Sequence, residues 1–334
     1  MKARIYAAIL LTAGFLSLLA MPPTVSGSGD AARDLANVLQ QAGVPVTEIA
    51  VRLSRVFHCT ADRVADILKD LGYGAVSAAE ALRTAFNPGR NRVARLLRGA
   101  GYSARAIARA LKSVFAADED RVATTLKAVV FTATQVAGAL SHVFGSSAER
   151  VAGALKAARF SIEEIAGALK SWFALDEDRA AIVLKTAVFN AVRIAGALQT
   201  VYNATVPRVA KALKAARFAI DEIAGALEEK FHAGEERIAG ALKLAIYSAV
   251  SIAGALQRVF GTPMKRVIKV LKKTGFSAVD VGIVIKTIWL KSREKVRFLL
   301  TEAGYTAGQV SVAIQILFKE FEIPPVRTLP RDRK

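Results

Sequence analysis

Aromatic residues recur along this chain at an interval that never slips. Tyr73, Tyr102, Phe131, Phe160, Phe189, Phe218, Tyr247, Phe276 and Tyr305 stand 29 residues apart, and Val44 begins the same column. A second column runs Phe57, Phe86, Phe115, Phe144, Phe173, Tyr202, Phe231, Phe260, Trp289 and Phe318. Two columns in fixed register mean internal repetition. A period of this length belongs to architectures in which each unit buries its apolar face only by stacking on the next.

Each unit reads as two short helices. In 160–188, Ile165, Ala166, Leu169 and Phe173 fall at i, i+1, i+4 and i+8, one apolar stripe of a helix; beyond FALDED, Ile182 and Leu184 begin a second stripe. Capping-box spacing recurs in register at Ser161/Glu164, Thr132/Gln135, Thr306/Gln309 and Ser146/Glu149, and Pro263 after Thr262 reads as an N1 proline behind its cap. The pentapeptide IAGAL or VAGAL occurs seven times, in first and second helices alike, which explains its gaps of 14, 15 and 29. Its branched residue and Leu lie on the core face. Its Ala-Gly-Ala predicts close backbone packing, since glycine within a helix otherwise costs about 1 kcal/mol.

The expected fold is therefore all-α: a right-handed superhelical α-solenoid of about nine 29-residue helix-turn-helix repeats over 44–304. A half-repeat at 28–43 precedes them and another at 305–322 follows. A 58-residue rhythm overlies the period, because units starting at 102, 160 and 218 carry acidic clusters and those at 131, 189 and 247 mostly do not. The pattern is similar to HEAT-like and other helical-hairpin solenoids. That resemblance is architectural and implies a scaffold or binding surface; no specific family follows from it.

The first residues read differently. Lys2 and Arg4, the apolar run 7–20 and small residues at Ser26 and Gly27 predict a signal peptide over 1–27, with an uncleaved membrane anchor as the alternative. The expected location is secreted, periplasmic or cell-surface. Cys59 is the single cysteine, so no internal disulfide supports the fold; it reads as a turn residue, with a dimer link or reactive thiol as alternatives.

The formal net charge is +19, which favours acidic partners. Arginines recur at 29-residue spacing (Arg63, Arg92, Arg121, Arg150, Arg179, Arg208, Arg237, Arg266), as do cations in the last turn of the second helix (Lys69, Arg98, Lys127, Lys156, Lys185, Lys214, Lys243, Lys272). Acids beside many of the arginines favour a structural, unit-pinning role for them. The lysines suit either the helix dipole or a long polyanion.

Residues 247–334 hold 16 basic and 6 acidic residues, and 247–275 has no acid. Arg258, Lys265, Arg266, Lys269, Lys272 and Lys273 are therefore the candidate anion- or partner-binding patch. The Pro-containing tail 323–334 adds net +3. The aromatic columns, in register with Leu and Ile, read as core rather than as stacking platforms. His58 and His232 share a helix-ending turn position with Asn87, Asn203, Gly145 and Gly261. In the final helix Val310, Ile314, Leu317, Phe318 and Phe321 make an apolar surface suited to self-association.

No catalytic constellation, cofactor loop or metal-ligand spacing is present in the sequence, so no enzyme and no cofactor are expected. The leading functional expectation is an exported, non-enzymatic repeat scaffold binding an anionic macromolecule or protein through its basic C-terminal third. The alternatives are a self-assembling envelope spacer or filament, an extracellular nucleic-acid binder, and a protein held at a membrane surface.

Overall fold

The 29-residue period places a helix-ending signal at the same two points of every unit. A computed structural model describes residues 28–318; the expected leader at 1–27, Phe321 and the tail 323–334 lie outside the described residues. Second helices close in a Schellman motif, as when Phe160 N–H donates to the Leu155 carbonyl (3.0 Å) and Arg159 N–H to the Lys156 carbonyl (2.8 Å). The aromatic of the first column thus folds back over the Leu that ends the core stripe. First helices close on a left-handed residue, among them His58, Asn87, Asn203 and His232, which is the role expected of that column.

Among the described residues there are twenty helices and no strand. The chain divides into two compact units at Phe173/Ala174. The first holds α1 (Ser28–Gln41), α2 (Val46–Val56), α3 (Ala61–Asp70), α4 (Ala75–Phe86) and α5 (Arg90–Gly99). It continues with α6 (Ala104–Phe115), α7 (Glu119–Ala128), α8 (Ala133–Phe144), α9 (Ala148–Ala157) and α10 (Ile162–Phe173). The second holds α11 (Glu177–Thr186), α12 (Ala191–Tyr202), α13 (Val206–Ala215), α14 (Ile220–Phe231) and α15 (Glu235–Leu244). It ends with α16 (Ala249–Phe260), α17 (Met264–Lys273), α18 (Ala278–Trp289), α19 (Arg293–Glu302) and α20 (Ala307–Leu317).

Each unit is a stack of helical hairpins in two layers, as an α-solenoid requires. In the first, α2, α4, α6, α8 and α10 pack side by side, and α3, α5, α7 and α9 form the other layer, with α1 against α2. In the second, α12, α14, α16, α18 and α20 form one layer and α11, α13, α15, α17 and α19 the other. The core is the set of positions that both layers close off. Ile194, Ala195, Ala197 and Leu198 of α12, with Val209, Ala210, Ala212 and Leu213 of α13, lie fully out of solvent. Aliphatic burial of this kind contributes roughly 25 cal/mol per Å².

The glycine of the pentapeptide departs from expectation. A methyl group at Gly153, Gly167, Gly225 or Gly240 would meet nothing within 4 Å, so close backbone approach does not require glycine there. The alanines flanking it are the buried small residues. Only Gly138, beneath the Trp172 ring, is crowded by the next repeat in the sense the sequence suggested. Outside the pentapeptide, Gly282 is crowded by Leu317 of α20.

Two caps also differ. Ser147, not Ser146, is the N-cap of α9 and accepts from Arg150 N–H; Pro263 is itself the N-cap of α17, not its first helical residue. Ser146 and Thr262 share one column, and each hydroxyl instead donates to a glutamate of the preceding repeat. The capping boxes at Thr132/Gln135, Ser161/Glu164 and Thr306/Gln309 form as expected.

The left-handed residue that follows each second helix is glycine at 43, 72, 101, 275 and 304, but Val130, Val188 and Ile246 occupy the same place with φ of 64°, 60° and 61°. A β-branched residue in this conformation is strained by about 1–3 kcal/mol.

Candidate functional site

The polar residues that recur at 29-residue spacing are arranged by the same stacking that builds the core. A cation in the last turn of a second helix reaches the end of the second helix one repeat on. Lys185 Nζ donates to the Arg217 carbonyl at 2.7 Å and lies 4.2 Å from the Phe218 ring centre. Lys214 donates to Ala245 and Ile246 (2.6 and 2.8 Å) and lies 4.4 Å from Tyr247. Lys243 donates to Thr274 and Gly275 (2.9 and 2.7 Å) and lies 4.7 Å from Phe276. Lys69 over Tyr102, Arg98 over Phe131, Lys127 over Phe160 and Lys272 over Tyr305 repeat the contact, and Lys156 holds the same register in α9. Lys127, Lys185, Lys214, Lys243 and Lys272 thus meet the negative end of a helix dipole and the negative face of a ring together. Of the two readings open for the lysines, the geometry supplies the structural one.

Tyr102, Phe131, Phe160, Phe189, Phe218 and Tyr305 of the first column are buried as expected, with an outer face that seats a cation. Tyr73, Tyr247 and Phe276, and the whole second column from Phe57 to Phe318, are half-buried instead, because each lies at the margin between repeats rather than on the core stripe. Where the aromatic is tyrosine, its hydroxyl can also tie back one repeat: Tyr102 donates to the Tyr73 carbonyl (2.7 Å) and Tyr305 to that of Phe276 (2.8 Å). Burial pushes both phenols up to about 12.

First helices carry a second ladder that sequence reasoning missed. Arg83 donates to the Val114 carbonyl (2.8 Å), Lys112 to Val143 (2.9 Å) and Lys286 to Leu317 (2.6 Å), each beside the next repeat's aromatic at Phe115, Phe144 and Phe318. The signal was the fixed 32-residue offset from cation to aromatic.

The arginine column alternates in role. Arg150 pairs with Glu119 and Asp120 (3.4 and 3.2 Å), Arg208 with Glu177 (2.7 Å) and Arg266 with Glu235. These pairs recur every 58 residues and account for the acidic rhythm. Ser146 and Thr262 supply Glu119 and Glu235 with a second hydrogen bond. The Glu119 and Glu177 carboxyls sit below their ordinary value chiefly through their own backbone N–H groups, helped by Arg150 and Arg208. Burial acts against Glu235, yet hydrogen bonds from Arg266 and Thr262 hold it low as well. In between, the register sets Arg237 against Val206 rather than an acid in the repeat before it, and Arg179 gives its backbone N–H to the Asp176 cap.

The candidate basic patch is mostly occupied. Arg258 makes a bidentate pair with Asp221 (2.7 and 2.9 Å), Lys265 pairs with Glu302 (2.8 Å) and Lys273 with Glu236 (2.5 Å). Arg266 is held by Glu235, and Lys272 by the Gly304 carbonyl and Tyr305. Of the six, only Lys269 has no acid at ion-pair distance and no helix end to close among the described residues. The repeat 247–275 has no acid of its own, but its neighbours supply four.

Of the exposed cations that have no carboxylate at ion-pair distance among the described residues, several, such as Arg55, Arg159, Arg179, Arg193, Arg217 and Arg237, are spread along the repeats, and two sets lie close together in sequence. In the second unit they are Lys269, Lys291, Arg293 and Arg297. In the first they are Arg95, Arg105 and Arg109, within the stretch 81–117 that holds eight basic residues and no acid. An acid-free window count finds the three arginines, which the larger net charge of the C-terminal third overshadows.

The self-association candidates divide. Val310 and Ile314 are in the core and Leu317 packs on Gly282, so the solvent-facing apolar residues of α20 are Val312 and Ile316. Phe318 is half-buried beneath Lys286, and Phe321 lies outside the described residues. Burial pushes the Cys59 thiol up and Arg63 only partly opposes it, the reverse of what a reactive thiolate needs.

An open depression of about 610 Å³ between α12 and α14 is lined by Glu222, Glu228, Glu229 and His232, an acidic surface unsuited to anions. Among the described residues no group of three His, Cys, Asp or Glu side chains is placed to hold a metal, and no helix is long and apolar enough to cross a membrane. The sequence matches no family model, and no curated protein is similar to it.

Proposed function

We propose that this chain is an exported, non-catalytic helical-repeat scaffold that binds an anionic macromolecule through the cations its ladders leave uncommitted. The observation that carries the reading is how the cations sort. Most recurring cations have an acid, a carbonyl or a ring in contact, whereas Arg95, Arg105 and Arg109 in one unit and Lys269, Lys291, Arg293 and Arg297 in the other have none at contact distance among the described residues. Glu294 and Glu302 reach Arg293, Arg297 and Lys269 only at longer range. Exposed, unpaired cations on a rigid repeat surface favour a polyanion, whose charges are also repeated.

The test is a salt series of binding to a labelled polyanion such as duplex DNA or polyphosphate. Neutralising Lys269, Lys291, Arg293 and Arg297 to glutamine should flatten the dependence of log affinity on log salt by about 0.9 for each duplex phosphate that is no longer neutralised. Neutralising Arg95, Arg105 and Arg109 measures the share of the other unit. Unchanged affinity and slope in both variants would sink the proposal.

A second reading, end-to-end self-association, is favoured by one observation. Val312 and Ile316 of α20, the last described helix, are more than half exposed, an apolar pair on a face that packs on no described helix. Light scattering of a Val312→Glu/Ile316→Lys variant against the parent separates the two readings.

A further inference from the structure

The residues that follow the second helices form an edge in each unit, and its side chains are at odds with the fold. Val130, Val188 and Ile246 are 77%, 79% and 85% exposed, and Leu244, two residues before Ile246, is 71% exposed. The first three hold left-handed backbone in which glycine serves other repeats equally well, at 43, 72, 101, 275 and 304. Conformational preference and hydration both oppose a branched aliphatic at such a place. Nothing in the fold calls for it.

Its neighbours indicate what that is. The position one repeat after Val130 is Arg159, and Arg217 stands between Val188 and Ile246, all exposed. In the second unit the edge therefore presents aliphatic, guanidinium, aliphatic at a spacing on the order of 10 Å per repeat. The ammonium groups of Lys185, Lys214 and Lys243 sit just behind it, on the carbonyls of Arg217, Ile246 and Gly275. The carboxylates nearest in sequence are tied back, Asp221 by Arg258 and Glu222 by the Ala219 N–H.

A protein interface is centred on a contiguous, fully buried apolar patch, and single aliphatics set a repeat or more apart do not make one. A lipid surface has no such requirement. Each aliphatic tip enters the acyl boundary on its own while the arginine beside it meets a phosphate.

We infer that the edge bearing Val188, Arg217, Leu244 and Ile246, with its counterpart Val130 and Arg159 in the first unit, docks on the headgroup–acyl boundary of an anionic lipid leaflet. This surface is separate from the cations assigned to polyanion binding.

The test uses the full chain and two readouts. An environment-sensitive fluorophore is placed at Ile246→Cys in a Cys59→Ala background, and a matched control at Gly167→Cys, which faces open space on α10. With vesicles of phosphatidylcholine and phosphatidylglycerol containing brominated acyl chains, the label at 246 should shift to the blue and be quenched. Pure phosphatidylcholine should give neither effect, and the label at 167 should be silent, so that any lipid affinity of the apolar stretch 7–20 does not enter.

The second readout is vesicle partition of the triple variant Val130→Gly/Val188→Gly/Ile246→Gly, in which glycine suits the backbone and every charge is kept. Partition relative to the parent should fall about tenfold or more, with binding to soluble polyphosphate unchanged. A silent label at 246, or equal partition of parent and triple variant, overturns the inference. Absence of polyphosphate binding by the parent, with the label at 246 still quenched, overturns the proposed function and leaves this inference standing.

Discussion

Lys214 and Tyr247 stand 33 residues apart in sequence and 4.4 Å apart in space, the ammonium above the ring while it also closes the end of α15 through the Ala245 and Ile246 carbonyls. One side chain thus joins two successive hairpins by three contacts. Lys214→Met keeps the aliphatic stem and removes the charge. Without the ring interaction and the charged hydrogen bonds, the protein should be destabilised by about 1–2 kcal/mol, read as a lower urea midpoint. Lys211→Met on the same helix, which removes a solvent-facing pair with Asp178 (3.5 Å), should change stability by less than about 0.5 kcal/mol.

The glutamates that pin alternate junctions predict a response to acid. Glu119, Glu177 and Glu235 titrate below the ordinary 4.5 when folded, so their contribution is present above that pH and is lost as pH falls through their depressed values. The triple Glu→Gln variant should be less stable than the parent at neutral pH. Its stability should also fall less steeply below pH 4.5, as followed by circular dichroism across a pH series.

The tyrosines predict the opposite limb. Tyr102 and Tyr305 stay protonated up to about 12 in the folded state, against an ordinary 10. Stability from this source is complete below pH 10 and is lost as pH rises towards 12, because the unfolded chain releases its protons first. Tyr102→Phe/Tyr305→Phe should shift the alkaline unfolding midpoint upward, at the expense of two hydrogen bonds at neutral pH.

Glycine substitutions should split by environment. Gly167→Ala and Gly225→Ala meet open space in helix interiors and should each stabilise by about 0.5–1 kcal/mol. Gly282→Ala forces its methyl group against Leu317 and should lower the thermal midpoint instead.

Periodicity made the helices, their turns and the buried stripes legible in sequence, because these depend on contacts within a repeat or on a fixed register. The role of individual charges did not follow so directly. Ser146 and Thr262 look like local caps because nothing local distinguishes a hydroxyl that caps its own helix from one that reaches a glutamate 27 residues back. The basic patch at 258–273 looked uncompensated for the same reason. Its acids, Asp221, Glu235, Glu236 and Glu302, belong to adjacent repeats, so a count within one repeat misses them. Pentapeptide glycine suggested tight packing, yet the buried alanines on either side carry it.

The alternation of Glu–Arg pins has a mechanical meaning. In the second unit Glu177–Arg208 clamps α11 to α13 and Glu235–Arg266 clamps α15 to α17, while Val206 opposite Arg237 leaves the α13–α15 junction without one. The α17–α19 junction is held by Lys265–Glu302, so under tension the α13–α15 junction should yield before its neighbours. A stack built this way behaves less like a uniform rod than like a spring with a preset breaking point.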